Sequence, residues 1–335
     1  MDEVARTEET VNIAERKRQK KELKKTVGHM AWGLVIYTII GFVIASIGVI
    51  VNLCVSAPDW LNMTDEELDE LMINLESQEF YGLLSCAIIL VGIGFLFLYF
   101  RKRIDKKQMF SVHKKMTPKA FIQLLCVFLG VQLLVEPGFL LMEKIFNFFG
   151  YSVMSSMEDA TMGSVTLSMI ICAVIVAPVV EEFVYRGFVL FSTKRFGKGY
   201  AIMISALLFG VMHENIPQSV FACMVGVVLG YVAIEYSIWW SVLLHIINNG
   251  LSELFYITTK NLSVVVQDRI FYILFGGFFL FGMFFVWKKR VYIREYWIQN
   301  KPNMKTLLYT FTTVGILVFI IMEMVAAFSM VEKLG

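Results

Sequence analysis

Apolar residues in this chain form long, nearly unbroken runs, unlike the alternation of half-buried strands or the striped pattern of surface helices. The runs cover approximately Met30 to Ala57, Phe80 to Phe100, Ala120 to Phe149, Ser164 to Phe191, Tyr200 to Met212, Pro217 to Ile234, Ile238 to Thr258, Ile270 to Trp287 and Thr306 to Met330. A hydrocarbon core of ~30 Å is crossed by ~20 apolar residues in helical form, so each run reads as a spanning helix. The predicted fold is all-α, a polytopic transmembrane bundle of eight or nine spans. The fifth run is the weak one. It is short and breaks at His213, Glu214 and Asn215 ahead of Pro217, which suits a short or partly re-entrant helix.

Composition agrees with this reading, since 57% of the 335 residues are hydrophobic and 17% charged. A soluble domain of this length would need more polar surface than that. The net charge of +2 hides a segregation. The stretches 1 to 29, 101 to 119, 191 to 199 and 288 to 305 contain 25 of the 30 Lys and Arg residues, whereas Pro58 to Glu79 is acidic and has none. Basic residues beside spans remain cytoplasmic, so the N-terminus is predicted inside and, with nine spans, the C-terminus outside. Trp32, Trp239, Trp240 and Trp287 fall at the predicted inner ends, where an amphipathic indole prefers to sit. The basic stretches are topology signals and anionic-lipid contacts, not a nucleic-acid surface. Five cysteines, all inside apolar runs and without metal-type spacing, read as small packing residues. The first apolar run is too long for a cleaved leader and is read as a retained span. No internal repeat or soluble domain is visible.

Ionisable side chains within spans cost at least ~2.5 kcal/mol each unless they face a polar cavity or one another. The densest group is Glu181, Glu182 and Arg186 in the fourth run, His213 at the end of the fifth, and His245, Asn248 and Asn249 in the seventh. Residues four apart on a helix share a face, so Glu182 can pair with Arg186, and His245 lies on the face of Asn249. Glu181 lacks that partner. Measured from the predicted inner ends at ~1.5 Å per residue, Glu181, His245, Asn249 and His213 fall at depths of ~10 to ~20 Å, one broad layer reachable by three helices. A carboxylate, two imidazoles and an amide in a wet pocket suit deprotonation of water and support of the oxyanion formed at a carbonyl, which is amide hydrolysis. No nucleophile elbow, HExxH or cofactor motif is present. Glu136, Glu253 and Glu323 are assigned to span boundaries or interhelical bonds, Phe209 to packing, and Gly226 with Gly230 to a close helix contact.

Three motifs, EExxxR (Glu181, Glu182, Arg186), FxxxH (Phe209, His213) and HxxxN (His245, Asn249), occur in this order, with Ser237, Ile238 and Trp239 ahead of the last. In this the sequence resembles the CPBP or Abi intramembrane proteases, similar to type II CAAX prenyl endopeptidases. The match covers roughly Ser164 to Ser252.

The resemblance implies a helical bundle with a conical cavity, expected to open on the cytoplasmic side, and an intramembrane endopeptidase. Its substrate would be a membrane-associated or lipid-modified protein or peptide, with membrane lipids as the other partner, in the plasma membrane of a bacterium. Glu181 would activate water with His213, His245 and Asn249 would stabilise the oxyanion, and Glu182 with Arg186 would brace the site. The family has been described both as metal-dependent and as glutamate-dependent. A zinc ion would take Glu181, His213 and His245, but Asn249 is a poor zinc ligand and a good oxyanion donor, which favours no metal. The implied organisation is a basic segment at 1–29, N-terminal spans at 30–119, the catalytic core at 120–260 and C-terminal spans at 261–335. The alternatives are a non-catalytic bacteriocin-immunity or accessory protein of the same fold, and a small transporter using the acidic site as a proton relay.

Overall fold

The structure is a computed structural model that describes residues 2–76, 78–155, 163–164 and 166–334. Each of the nine apolar runs contains helix among the described residues. In chain order the main helices are α1 Asp2–Ser56, α2 Asp65–Glu76, α3 Glu79–Phe100, α4 Pro118–Phe148, α5 Leu167–Phe196, α6 Lys198–Val211, α7 Ile216–Glu235, α8 Ile238–Thr259, α9 Val264–Lys288, α10 Arg290–Asn300, α11 Met304–Phe311 and α12 Val314–Ser329. The described strands are the two-residue segments Tyr151–Ser152 and Glu332–Lys333, paired antiparallel. They tie the end of α4 to the C-terminus.

By length and composition, six of these helices are able to cross a membrane, or seven if α11 and α12, bent by 69°, count as one span. The nine-span expectation counts two more. Helix α8 is long enough but is diluted by His245, Asn248, Asn249 and Glu253. Helix α6 has 14 residues, about 21 Å, which is short of a ~30 Å core. It pairs with α7 as an antiparallel hairpin whose open ends are joined by Lys198 and Glu235 at 2.7 Å. The turn between them holds His213 and therefore lies within the bundle.

Local chemistry sets the helix boundaries. Pro118 opens α4 behind Thr117, whose hydroxyl accepts from the Ala120 amide at 3.2 Å, and Asn215 accepts from the Gln218 amide at 3.1 Å ahead of Pro217. Side-chain caps of this kind satisfy amide groups left open at helix starts. Gly197, at φ 127°, makes the turn from α5 to α6 that residues with a Cβ rarely adopt. The α6–α7 contact is as close as the GxxxG reading implies: a Cβ on Gly226 would lie 3.1 Å from the Ala206 Cα, and one on Gly210 only 2.5 Å from the Ser219 carbonyl oxygen.

The basic segment 1–29 is continuous with the first span, so α1 is a single helix of 55 residues. Leu23, Val27, Met30, Ala31 and Leu34 form its buried stripe, at the spacing of one helix face, while Arg16, Lys17, Arg18 and Lys20 are exposed. The ends of α3 and α8 that carry Phe100 and Trp239 lie on the side of the basic stretches. This is the basic end, and the end carrying Pro58 to Glu79 is the acidic end. Helices α5 to α8 form the centre of the bundle, where Val184, Phe188, Tyr200, Leu208, Leu229 and Leu244 belong to one buried cluster.

Candidate active site

Glu182 is the centre of the polar group. Its carboxylate and the Arg186 guanidinium are both fully buried and 2.9 Å apart, the pairing expected from their spacing. Two partners come from α8: the Ser241 hydroxyl donates at 2.5 Å and His245 Nδ1 lies at 3.0 Å. Arg186 also donates to the Gly226 carbonyl at 3.3 Å and lies over the Phe209 ring, 4.2 Å from its centre. A buried ion pair costs least when its remaining donors and acceptors are engaged; Glu182 has Ser241 and His245, whereas the buried Arg186 Nε has no hydrogen-bond partner among the described residues.

Glu181, one residue earlier, reaches the other ring nitrogen of the same imidazole. Its Oε2 lies 3.7 Å from His245 Nε2, and its side chain is 19% exposed against 0% for Glu182. His245 thus has a carboxylate at each ring nitrogen. Since Glu182 can only accept, Nδ1 carries a proton, and Nε2 is the nitrogen presented to Glu181.

His213 sits beyond the end of α6, with Nδ1 2.8 Å from the Phe209 carbonyl oxygen. A carbonyl cannot donate, so this contact places the proton on Nδ1 and leaves the Nε2 lone pair free. Glu181 and His245 lie within electrostatic reach of His213. The Phe209 ring stands edge-on to both imidazoles, with centroids 5.0 Å from His213 and 5.6 Å from His245. Phe209 is packing, as expected, and also the wedge that spaces the two histidines.

Asn249, one turn beyond His245, donates to the Ala173 carbonyl at 2.9 Å. That leaves its second amide hydrogen available. Ala173 lies in Cys172–Val176, where the helical hydrogen bonds widen to the π pattern, as they do again over Glu182–Leu190. Such widenings free backbone carbonyls and recur at functional sites; here a side chain takes one of them up.

The structure therefore brings Glu181, Glu182, Arg186, His213, His245 and Asn249 to one region, from two helices and a turn. Sequence reasoning overlooked Ser241, although it lies four residues before His245 and so on its face. It also overlooked Gln132, which was visible as a lone amide in the third apolar run. Gln132 donates to Asn248 Oδ1 at 2.9 Å. Of the other intramembrane acids, Glu323 accepts from Thr38 at 2.9 Å and Glu136 from the Tyr272 hydroxyl, bonds between helices, while Glu253 accepts from the Ser164 amide at 3.1 Å in the segment ahead of α5.

A zinc ion taken by Glu181, His213 and His245 would have to bind the Nε2 atoms, because Nδ1 of His245 faces Glu182 and Nδ1 of His213 a carbonyl. Among the described residues no group of three or more His, Cys, Asp or Glu side chains is arranged to hold a metal ion.

The expected opening on the basic side is only partly present. A cleft of 590 Å³ does open at the basic end, lined among others by Lys25, His29, Phe100, Arg103 and Phe191. Glu181, His213 and His245 do not line it; Phe100, which does, stacks on Phe188 with ring centres 5.0 Å apart.

Comparison with known families places this geometry. Residues 163–251 match the family described as type II CAAX prenyl endopeptidase Rce1-like. Every residue of the three motifs falls inside that segment, which is CAAX-protease-like within a multi-pass membrane protein. Comparison with curated proteins gives no match. Comparison with solved structures gives none either.

Proposed function

We propose that the protein is an intramembrane endopeptidase that hydrolyses a peptide bond of a membrane-associated or lipid-modified polypeptide through a water activated by Glu181. The observation that carries this reading is the approach of Glu181 Oε2 to His245 Nε2 at 3.7 Å across two helices, with Glu182 holding the far side of the imidazole at 3.0 Å. One carboxylate is committed to structure and the other is left to chemistry.

In this mechanism a water bonded to Glu181 and to His213 Nε2 gives its proton to Glu181 as it attacks the scissile carbonyl carbon. The carbonyl oxygen becomes an oxyanion and takes hydrogen bonds from the second amide hydrogen of Asn249 and from Nε2–H of the doubly protonated His245. Collapse of the tetrahedral species breaks the C–N bond, and Glu181 returns its proton to the leaving amine. Donors held in place before the reaction stabilise developing charge better than mobile water does. Glu182, Arg186 and Ser241 act through His245 and are positioning residues. Basic ends on the cytoplasmic side of a bacterial plasma membrane complete the reading, from the distribution of Lys and Arg.

The test uses purified protein in liposomes with membrane-anchored and prenylated peptides, and product termini read by mass spectrometry. Glu181→Gln is expected to lose ~10²- to 10⁴-fold in rate. Cleavage by Glu181→Gln and His245→Ala at the parent's rate would leave the group as a polar core of a non-catalytic protein. Metal analysis and chelation of active protein separate this mechanism from a zinc-dependent one.

A further inference from the structure

The surroundings of Glu181 differ above and below it along the helix axes. Toward the basic end, every residue from Val184 to Leu190 is buried. The loop before α4 folds beneath this segment. Its Met109 is 1% exposed, and a Cβ added to Gly187 would come 2.4 Å from the Met109 Cε. Phe110 stands 5.8 Å from both Phe183 and Trp239, whose rings are themselves 5.8 Å apart. The His113 amide donates to the Tyr236 carbonyl at 2.8 Å, which pins the loop to the start of α8.

Toward the acidic end, polar side chains continue. Gln132 Nε2 donates to Asn248 Oδ1 at 2.9 Å and to the Ser252 hydroxyl at 3.4 Å. Asn248 donates to Asn249 Oδ1 at 3.2 Å, and Asn249 to the Ala173 carbonyl at 2.9 Å. Ser252 is exposed, and Gln132 and Asn249 are half-buried. Both helices facing α8 here depart from α geometry, α4 through a 3₁₀ turn at Val131–Leu134 and α5 through the π stretch Cys172–Val176. Irregular backbone at membrane depth is tolerated where it is buried in protein or lines a water-filled cavity.

We propose that water and the peptide reach Glu181 from the acidic end, along a track formed by Gln132, Asn248, Asn249 and Ser252, while the basic end is closed to them. This reverses the expected side of access. Gln132 commits its amide hydrogens to Asn248 and Ser252, so its Oε1 is the acceptor offered to a backbone N–H of an extended chain. The identity of the visitor rests on the peptidase reading; the route does not.

The test places single cysteines at Gln132 and Ser252, with Lys114→Cys marking the basic end and Asp65→Cys the acidic end, in sealed vesicles of both orientations. A charged, membrane-impermeant methanethiosulfonate is added outside and labelling is read by peptide mapping, so the native cysteines stay in place. Gln132→Cys and Ser252→Cys are expected to react when the face carrying Asp65→Cys is outside and to lose labelling when that carrying Lys114→Cys is. Labelling from the Lys114→Cys face, or from neither, overturns the route. Because no catalysis is needed, an inactive protein labelled from the acidic face refutes the peptidase reading and keeps the route. An active protein labelled from the basic face does the reverse.

Discussion

Below Glu181, helices α5 to α8 meet almost without exposed surface: Val184, Tyr185, Phe188, Tyr200, Leu208, Leu229 and Leu244 are each 2% exposed or less. Above it α5 and α8 are more open, with Ile175, Ser252 and Leu254 exposed. The chemistry-bearing side chains stand at the border between these halves. A dense foundation fixes the rotamers of Glu182, Arg186 and His245, and the loosened half admits what they act on. Preorganisation and access are opposed demands on side-chain packing, and here they are met by different lengths of one set of helices.

The largest effect should come at the border. Glu181→Gln is expected to abolish most cleavage while leaving thermal unfolding in detergent nearly unchanged, since its carboxylate faces the open half. A large fall in unfolding temperature would move Glu181 into the foundation.

Arg186→Met should do the opposite. It leaves the fully buried Glu182 carboxylate without its cation, and a broken buried pair costs ~3–5 kcal/mol. The double variant Glu182→Gln with Arg186→Met is expected to recover much of that stability without recovering cleavage, which comparison of unfolding with activity would show. Met109→Ala, under Gly187, empties a well-filled site below the border and is expected to cost ~2–5 kcal/mol. Leu254→Ala, on the exposed face of the open half, should stay within ~0.5 kcal/mol. Equal losses for Met109→Ala and Leu254→Ala would erase the contrast.

The smallest effect concerns pH. Burial of the His113 ring, helped by nearby Lys194, lowers its affinity for protons below the ordinary imidazole value of 6.5. The unfolded chain then binds a proton that the folded chain resists, so the loop's hold is present above pH 6.5 and weakens as pH falls through it. His113→Phe should flatten that dependence in unfolding curves followed from pH 7.5 to 5.5, a window set about the unperturbed imidazole value. A parent curve already flat over this range would show that the ring titrates freely.

Much of this molecule was legible in its residues taken one after another. Apolar runs locate helices because lipid leaves the backbone no other partner than itself. The i,i+4 spacing of Glu182 and Arg186 foretold their pair, and three short motifs named the residues that meet. What linear order could not express was which groups from distant helices face one another. The bond from His245 to Glu182 rather than to Glu181, the arrival of Gln132 from α4 and the closure beneath Gly187 depend on helix rotation and depth. Those are decided by how side chains interlock, through close approaches such as Gly226 on Ala206. Periodicity tells which residues share a face, but only contact between faces decides what each one sees.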